Sequence, residues 1–360
     1  MTRARFIRLL TAAGLTGLAA AQETKRFPPW QRGFLDIHHI ATGRGSSTLL
    51  LLPDAQTIMI DAGASQDSLQ VSAPPKPDAS RTPGQWIARY AARHMKPAGR
   101  SELDYFLVSH MHPDHIDGLM DVDALLPIRK LIDRGYPSYD NPAPLDAPFA
   151  ANYLKYVRSR KNVERFQVGS ASQLPLIRNI AANGEVWTRK RHFADVPNEN
   201  MCSAAIRLNY GKFSYYTGGD LTCSTNDGAS PWRDIETPVA EVTGPVDVAV
   251  ANHHGYYDAV GPAFVRALRP KVFIIPTWHI SHPNTGQLER MQRQSREIYA
   301  TNLTEISKLL NARLLPGVAS TEGHVVVRVH PGGDTFEVMV LDNSDESDTV
   351  MLTSTLFRAG

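Results

Sequence analysis

The sequence predicts an α/β fold in a single domain. Three observations carry that reading. Short runs rich in Val, Ile and Leu recur along the chain with Gly and Pro between them, as strands do. Segments whose apolar residues fall near helical spacing separate several of these runs. The order strand, strand, helix, strand fits two related halves around one core. The composition agrees: 360 residues, 42% apolar and 21% charged, can bury a large core, unlike a disordered tail, a collagen-like repeat or a disulfide-stapled miniprotein. With 38 Lys and Arg against 36 Asp and Glu, the chain lacks the basic excess of a general nucleic-acid coat protein.

The first segment is read apart from the fold. A basic start, an apolar stretch and Ala19-Ala20-Ala21 make residues 1–21 a secretory signal peptide, which places the mature chain in the periplasm or outside the cell. Its removal takes Arg3, Arg5 and Arg8 and no acid, so the formal charge passes from +2 to −1. No later stretch offers about 18 uninterrupted apolar residues, so no transmembrane segment is expected in the mature chain. Export permits disulfides, and Cys202 with Cys223 is the one pair available. Their spacing matches no zinc-binding Cys motif.

The domain is expected over residues 30–345, with 346–360 as a C-terminal tail. Strands are expected at 34–42, 47–52 and 57–61, the third running into Ala62-Gly63. A surface loop rich in Ser, Pro and Asp follows at 64–84. A helix is expected over 86–95, where Trp86, Tyr90 and Ala91 lie near helical spacing, and then a buried strand at 103–108. Residues 120–195 are less regular, with a Pro-rich stretch from Asn141 and a basic helical run at 153–161, and are expected to form an insertion covering one side of the strand ends. Strands at 204–208, 213–217, 246–251 and 271–276 follow, with helices at 262–268 and through most of 287–310. A hairpin, 325–329 with 336–341, turns at His330-Pro331-Gly332-Gly333-Asp334.

The segment after the strand at 103–108 carries the chemistry. His110, His112, Asp114 and His115 fall within six residues, with Pro113 among them. Imidazole nitrogen and carboxylate oxygen suit Zn, Mn or Fe. In extended backbone residues i and i+2 point the same way, so His110 and His112 can grip one ion, while the turn redirects Asp114 and His115 toward a second position. Asp220 follows an apolar strand and two glycines and can offer one oxygen to each of two cations, whose mutual repulsion a shared anion relieves. Two more strand ends deliver histidines, in Asn252-His253-His254-Gly255 and in Trp278-His279-Ile280-Ser281-His282. His38, His39, His94 and His192 lack such partners and read as structural or surface residues. Asp61 reads as a residue that orients His110 or His112, or holds the loop.

The run from His110 to His115 resembles the His-X-His-X-Asp-His signature of the metallo-β-lactamase superfamily. Residues 35–46, Ile58-Met59-Ile60-Asp61-Ala62-Gly63 and Tyr215-Tyr216-Thr217-Gly218-Gly219-Asp220 are similar to the family's opening strands and to its strand ending in Gly-Asp, so the resemblance covers most of 34–330. It implies an αββα sandwich with the site along one edge of its two sheets. It also implies two divalent metal ions bridged by Asp220, Zn first, with Mn or Fe as alternatives. The order Gly-Asp, His-His-Gly, His-Pro looks most like the branch that holds the nuclease-like domain of bacterial DNA-uptake channels and the bacterial phosphorylcholine esterases. The chain departs from the lactamases themselves: Asn198-Glu199-Asn200-Met201-Cys202-Ser203 has no His where they have a ligand. The branch implies that His253 or His254 replaces it and that His279 or His282 is the last ligand; spacing leaves both members of each pair open. Tyr256-Tyr257-Asp258 stands where the channel-type pattern has Ser after its Gly, which weakens the transfer of a substrate.

Two cations sharing Asp220 would bring the pKa of a bound water from about 15.7 toward 7, and Asp114 is placed to orient that nucleophile and take its proton. No Gly-X-Ser-X-Gly elbow competes, and Gly43-Arg44-Gly45 reads as a turn. Hydrolysis is the expected reaction, on a phosphodiester or phosphate ester. Acyl hydrolysis of a lactone or β-lactam comes second, and a metal-binding protein without turnover third. The partner is thus a small molecule or a phosphodiester. The slightly acidic mature chain has no clear nucleic-acid surface beyond the local runs Arg158, Arg160, Lys161 and Arg165, or Arg189, Lys190 and Arg191.

Overall fold

The computed structural model of the protein describes residues 25–360 apart from 140–146, 189–191, 194, 197 and 224–232. The expected leader, most of the Pro-rich stretch and Arg189, Lys190 and Arg191 lie outside those residues.

In the first sheet, β1 (Leu35–His39), β2 (Ser47–Leu51) and β3 (Thr57–Ala62) are antiparallel, and β4 (Leu103–Leu107), β5 (Ile128–Asp133) and β6 (Val163–Arg165) continue it in parallel. In the second, β7 (Ile177–Ala182), β8 (Glu185–Val186), β9 (His192–Phe193) and β10 (Ala205–Tyr210) are antiparallel and lead to β11 (Phe213–Thr217). From there β12 (Val248–Val250), β13 (Val272–Ile275) and β14 (Glu297–Ala300) run parallel. The chain returns to the first sheet with β15 (His324–Val329) against β1, then β16 (Thr335–Leu341), on which β17 (Val350–Thr353) and β18 (Phe357–Arg358) pair. The spatial orders are β17-β16-β15-β1-β2-β3-β4-β5-β6 and β14-β13-β12-β11-β10-β7-β8-β9. The helices are α1 (Pro83–Met95), α2 (Pro113–Ile116), α3 (Leu119–Leu125), α4 (Ala147–Arg158), α5 (Glu236–Thr243), α6 (Pro262–Leu268), α7 (Thr285–Gln292) and α8 (Glu305–Leu310).

The two-residue period of the strands decides the layers. Ile37, Ile58, Ile60, Val248, Val250, Val272, Ile274, Val325 and Val327 join one buried cluster between the sheets. Their alternates face outward. Leu49, Leu51 and Met59 pack with Ile87, Tyr90 and Ala91 of α1 and with Leu119 and Val122 of α3. On the other side Ala249, Phe273 and Ile275 pack with Val239 of α5, Phe264 and Leu268 of α6 and Leu288 of α7. The layers are therefore helix, sheet, sheet, helix: the αββα sandwich. The start of α1 is set locally, by a capping box between Thr82 and Gln85 with Pro83 in the first turn.

Three expectations change. Residues 120–195 are built into both sheets through β5, β6 and β7 rather than inserted over them, and within this stretch α4 contributes Phe149 beside His112. The helical reading of 287–310 is interrupted by β14, because Ile298 and Ala300 face α7 while Tyr299 enters the inter-sheet cluster, an alternation that only a strand provides. The tail expected at 346–360 pairs with β16, and Lys271 Nζ donates to the carbonyls of Arg358 and Gly360. Cys202 and Cys223 are both buried, their Sγ atoms 3.7 and 3.3 Å from the carbonyls of Asn198 and Asp258.

Candidate metal centre

The ends of parallel strands meet along one edge of the sandwich, the usual place for a site in α/β sheets. His110 follows β4, and His112 caps α2, which carries Asp114 and His115. Asp220 follows β11, His253 and His254 follow β12, and His279 and His282 follow β13. The backbone of α2 is seated by two glycines. A Cβ at Gly63 would lie 2.0 Å, and one at Gly45 2.2 Å, from the Asp114 carbonyl oxygen, which also accepts the Ser46 N–H at 2.9 Å.

Two groups of ligand atoms result: Asp114, His115, Asp220 and His254 in one, and His110, His112 and Asp220 in the other. Asp220 belongs to both. Its Oδ1 lies 3.2 Å from His115 Nε2, while its Oδ2 lies 3.7 Å from His110 Nε2 and 3.6 Å from His254 Nε2. Asp114 Oδ2 is 3.0 Å from His254 Nε2 and 3.6 Å from His115 Nε2, and His110 Nε2 faces His112 Nδ1 at 3.1 Å. Ligand atoms about 2.0–2.1 Å from one tetrahedral ion stand about 3.3 Å apart. These separations fit such edges. Among the described residues, His115 Nε2 is moreover buried with no well-directed hydrogen bond, facing Asp220 Oδ1 as a ligand nitrogen would.

Of the remaining histidines, His253 comes nearest, its Nε2 3.8 Å from Asp220 Oδ2 and 3.2 Å from the Asn200 amide nitrogen. His282 lies outside both groups and stacks on His254, with ring centres 4.6 Å apart. His279 stands further out, its ring 5.5 Å from that of His282 and its Nδ1 2.7 Å from Ser281 Oγ.

Oxygen acceptors fix three of the rings. His115 Nδ1 donates to Asp61 Oδ2 at 2.8 Å, His253 Nδ1 to Asp258 Oδ1 at 2.7 Å and His254 Nδ1 to the Pro276 carbonyl at 2.8 Å. Each bond leaves Nε2 as the ligating atom. Asp61 thus orients His115, not His110 or His112, because α2 folds back on β3, with the Gly118 N–H donating to the Ala62 carbonyl at 2.8 Å. Asp61 also holds the loop, accepting the Ser109 N–H and hydroxyl at 2.7 and 2.6 Å.

Burial opposes every charge here, and pairing decides the sign. Burial, then His115, holds His110 well below the ordinary imidazole value, and burial also lowers His112. At His115 burial is outweighed by Asp220, Asp114 and Asp61, which keep that ring well above its ordinary value. His254 is pushed up to about 9, against burial, by Asp220 and Asp114. Burial would raise Asp114 and Asp220, but His115 and His254 bring both below the usual carboxylate range. Bound cations would take the place of the protons that these carboxylates otherwise draw onto the rings.

The residues that hold the loops have no motif. Glu199 accepts the Met111 N–H at 3.0 Å, between His110 and His112, and pairs with buried Arg134. His253 and His254 have φ of 45° and 53°, a left-handed backbone costing on the order of 1–3 kcal/mol at a non-glycine residue. Asn252 anchors that turn by donating to Glu236 Oε1 at 2.9 Å. The site opens where Asp114 keeps 14% and His253 16% of the side chain exposed, against 4% or less for His110, His115, His254 and Asp220. Phe149, 5.1 Å from His112, and Tyr256, 5.0 Å from His253, border this opening.

No protein-family model matches the sequence, and none of the curated proteins matches it. Among solved structures, the chain is similar to the metallo-β-lactamase fold protein YhfI from Bacillus subtilis, with 13% identity and a TM-score of 0.44 over 82% of this chain and 99% of that one. It is similar to CmlA, a diiron β-hydroxylase from Streptomyces venezuelae, with 13% identity and a TM-score of 0.43 over 84% of this chain and 55% of that one. A diphosphatase of the PhnP family is similar at 11% identity and a TM-score of 0.38, over 81% of this chain and 96% of that one.

Proposed function

We propose that the protein is a metal-dependent hydrolase acting on a phosphodiester or phosphate ester. The observation that carries this reading is Asp220, whose carboxylate belongs to two adjoining ligand groups with one oxygen toward His115 and the other toward His110. In this reading His110, His112, His253 and Asp220 hold one divalent cation, and Asp114, His115, His254 and Asp220 a second, both Zn. When bound, such a pair supplies Lewis acidity and hydroxide at neutral pH. Asp114, at the open side, orients the nucleophile and takes up its proton. His282 supports His254 by stacking, and His279 lies outside the ligand set. Phe149 and Tyr256 pack against the organic part of a substrate and keep water off it. A leader at 1–21 would put this activity outside the cytoplasm; among the described residues no helix is long and apolar enough to cross a membrane.

Support for a phosphoester over an acyl substrate comes from residues 198–203, which carry no His; there the Asn200 amide meets His253 Nε2. Purified protein should hold close to two transition-metal ions and should cleave bis-p-nitrophenyl phosphate faster than nitrocefin or a lactone. His254→Ala should lose about one ion and His282→Ala neither. Metal-free protein, or turnover unchanged in Asp220→Ala, would overturn the hydrolase reading. A preference for nitrocefin or the lactone would move it to acyl hydrolysis.

A further inference from the structure

The turn Gly43-Arg44-Gly45 and the Ser- and Pro-rich segment after β3 take no part in the ligand groups, yet they line an open cleft beside them. Its volume is about 450 Å³, in the range that takes small-molecule ligands, and Arg44, Ser65, Gln66, Ser80, Arg81 and Gln85 are among the residues that line it. Arg44 is the unusual member. Only 7% of it is exposed, and among the described residues no carboxylate oxygen comes within 4.0 Å of its guanidinium. Its Nη1 donates to the Asp67 carbonyl and to Ser72 Oγ; its Nε and Nη2 have no partner among the described residues. Asp67 is the acid that acts on this guanidinium, from beyond ion-pair distance, and no carboxylate of the described residues bonds it directly. Arg81, stacked on Trp86 at 4.8 Å, adds a second positive charge to the lining, and the 13-residue helix α1 starts at its wall, with the positive end of its dipole there. Asp67 is the one acid among the lining residues, against two arginines, while Asp121 bonds the Thr82 hydroxyl at the start of α1 and Asp78 lies beside Arg81.

We propose that this cavity binds a small organic anion, with its phosphate or phosphonate group on Arg44. The site adjoins the metal centre. The Ser65 N–H donates to the Arg44 carbonyl, the neighbouring Ala64 N–H to the Pro113 carbonyl, and Ser46 to that of Asp114, so one loop layer separates cavity from ligands. The proposal stands whether or not the metal centre is hydrolytic. A guanidinium on an oxyanion is a charge-assisted bond, and bidentate where two nitrogens are available.

The test is calorimetric titration of the full-length purified protein with phenylphosphonate, which cannot be hydrolysed as an ester, and with inorganic phosphate. Besides any binding at the metal centre, which folded Asp220→Ala weakens, phenylphosphonate should bind at one further saturable site and more tightly than phosphate, since the cavity is far larger than the oxyanion. Arg44→Gln should weaken it at least about tenfold, the loss expected for a hydrogen bond to a charged group. Arg81→Glu, an exposed substitution that leaves the Arg44 contacts intact, should weaken it about threefold or more. Asp220→Ala, checked by circular dichroism for its fold, should leave it within about twofold. The inference is overturned if the wild type shows no saturable binding, if both arginine variants bind as the wild type does, or if folded Asp220→Ala loses the binding. Equal affinity for the two probes overturns the organic anion in favour of free phosphate.

Discussion

Arg134 and Glu199 show how a loop of ligands is held by residues outside the ligand groups. Arg134 is fully buried, its Nε lies 2.7 Å from Glu199 Oε1, its Nη2 bonds Oε2, and Oε1 also accepts the Met111 N–H. Both charges have left water, so removing one strands the other, at about 3–5 kcal/mol. Arg134→Ala should lower the unfolding free energy by about that amount in urea titrations and should reduce metal content. Glu199→Gln strands the Arg134 charge and should cost about as much stability, but it keeps an oxygen for Met111 and should retain more metal; equal metal losses would refute this division of roles. The ligands themselves were legible because they sit next to strand ends and because His and Asp are the types that metals use. Their supports were not. Arg134 and Glu199 are 65 residues apart, and nothing local in either segment announces the other. Asp61 was legible as a support, yet its partner depends on how α2 folds back at Pro113, which spacing does not decide.

At the scale of elements, the position of α2 depends on backbone contact rather than on side chains. Gly63 directly follows β3 and lies against the Asp114 carbonyl, where a methyl group would come within 2.0 Å of the oxygen. Neither side is a flexible side chain, so α2 has to move. Gly63→Ala should therefore displace Asp114 and His115 together, costing about 1–3 kcal/mol, the range for overpacking. Metal analysis of this variant should show a larger loss than its modest drop in stability suggests; full metal content would show that the contact does not position α2. The sequence was informative about strands whose two faces are both apolar, such as β3 and β13, since a continuous run bounded by Gly or Pro has few other readings. It misled over 287–310. There the short β14 lies between two helices, and Glu297–Ala300 becomes a strand only by pairing with β13, a partner more than twenty residues away. The edge strands β17 and β18 were missed for a related reason, because Val350–Thr353 gains its conformation from β16 rather than from burial of its own side chains.

Across the whole molecule, the αββα order follows from two strand sets that are each apolar on both faces and so need cover on both. That cover brings histidines into the interior far from water. His324 packs against Tyr90 with ring centres 4.3 Å apart, and its Nδ1 accepts the Ala41 N–H at 2.9 Å, which requires an unprotonated nitrogen. Burial pushes its pKa down to about 3, and that of His39 likewise to about 3. In the unfolded chain both return to about 6.5. Because the folded values are the lower ones, the contribution of each ring to stability is complete above about pH 6.5 and is lost as pH falls toward 3. The loss runs at up to about 1.4 kcal/mol per pH unit per ring once the unfolded chain is protonated. His324→Gln keeps an oxygen that can accept the Ala41 N–H but cannot titrate. Urea titrations of both proteins at pH 8, 6, 5 and 4 should give similar pH slopes above 6.5. Below about pH 6 the variant's slope should be shallower by about 1.4 kcal/mol per unit. Curves that stay parallel down to pH 4 would mean that His324 is charged in the fold, and the hydrogen bond from Ala41 would have to be reassigned.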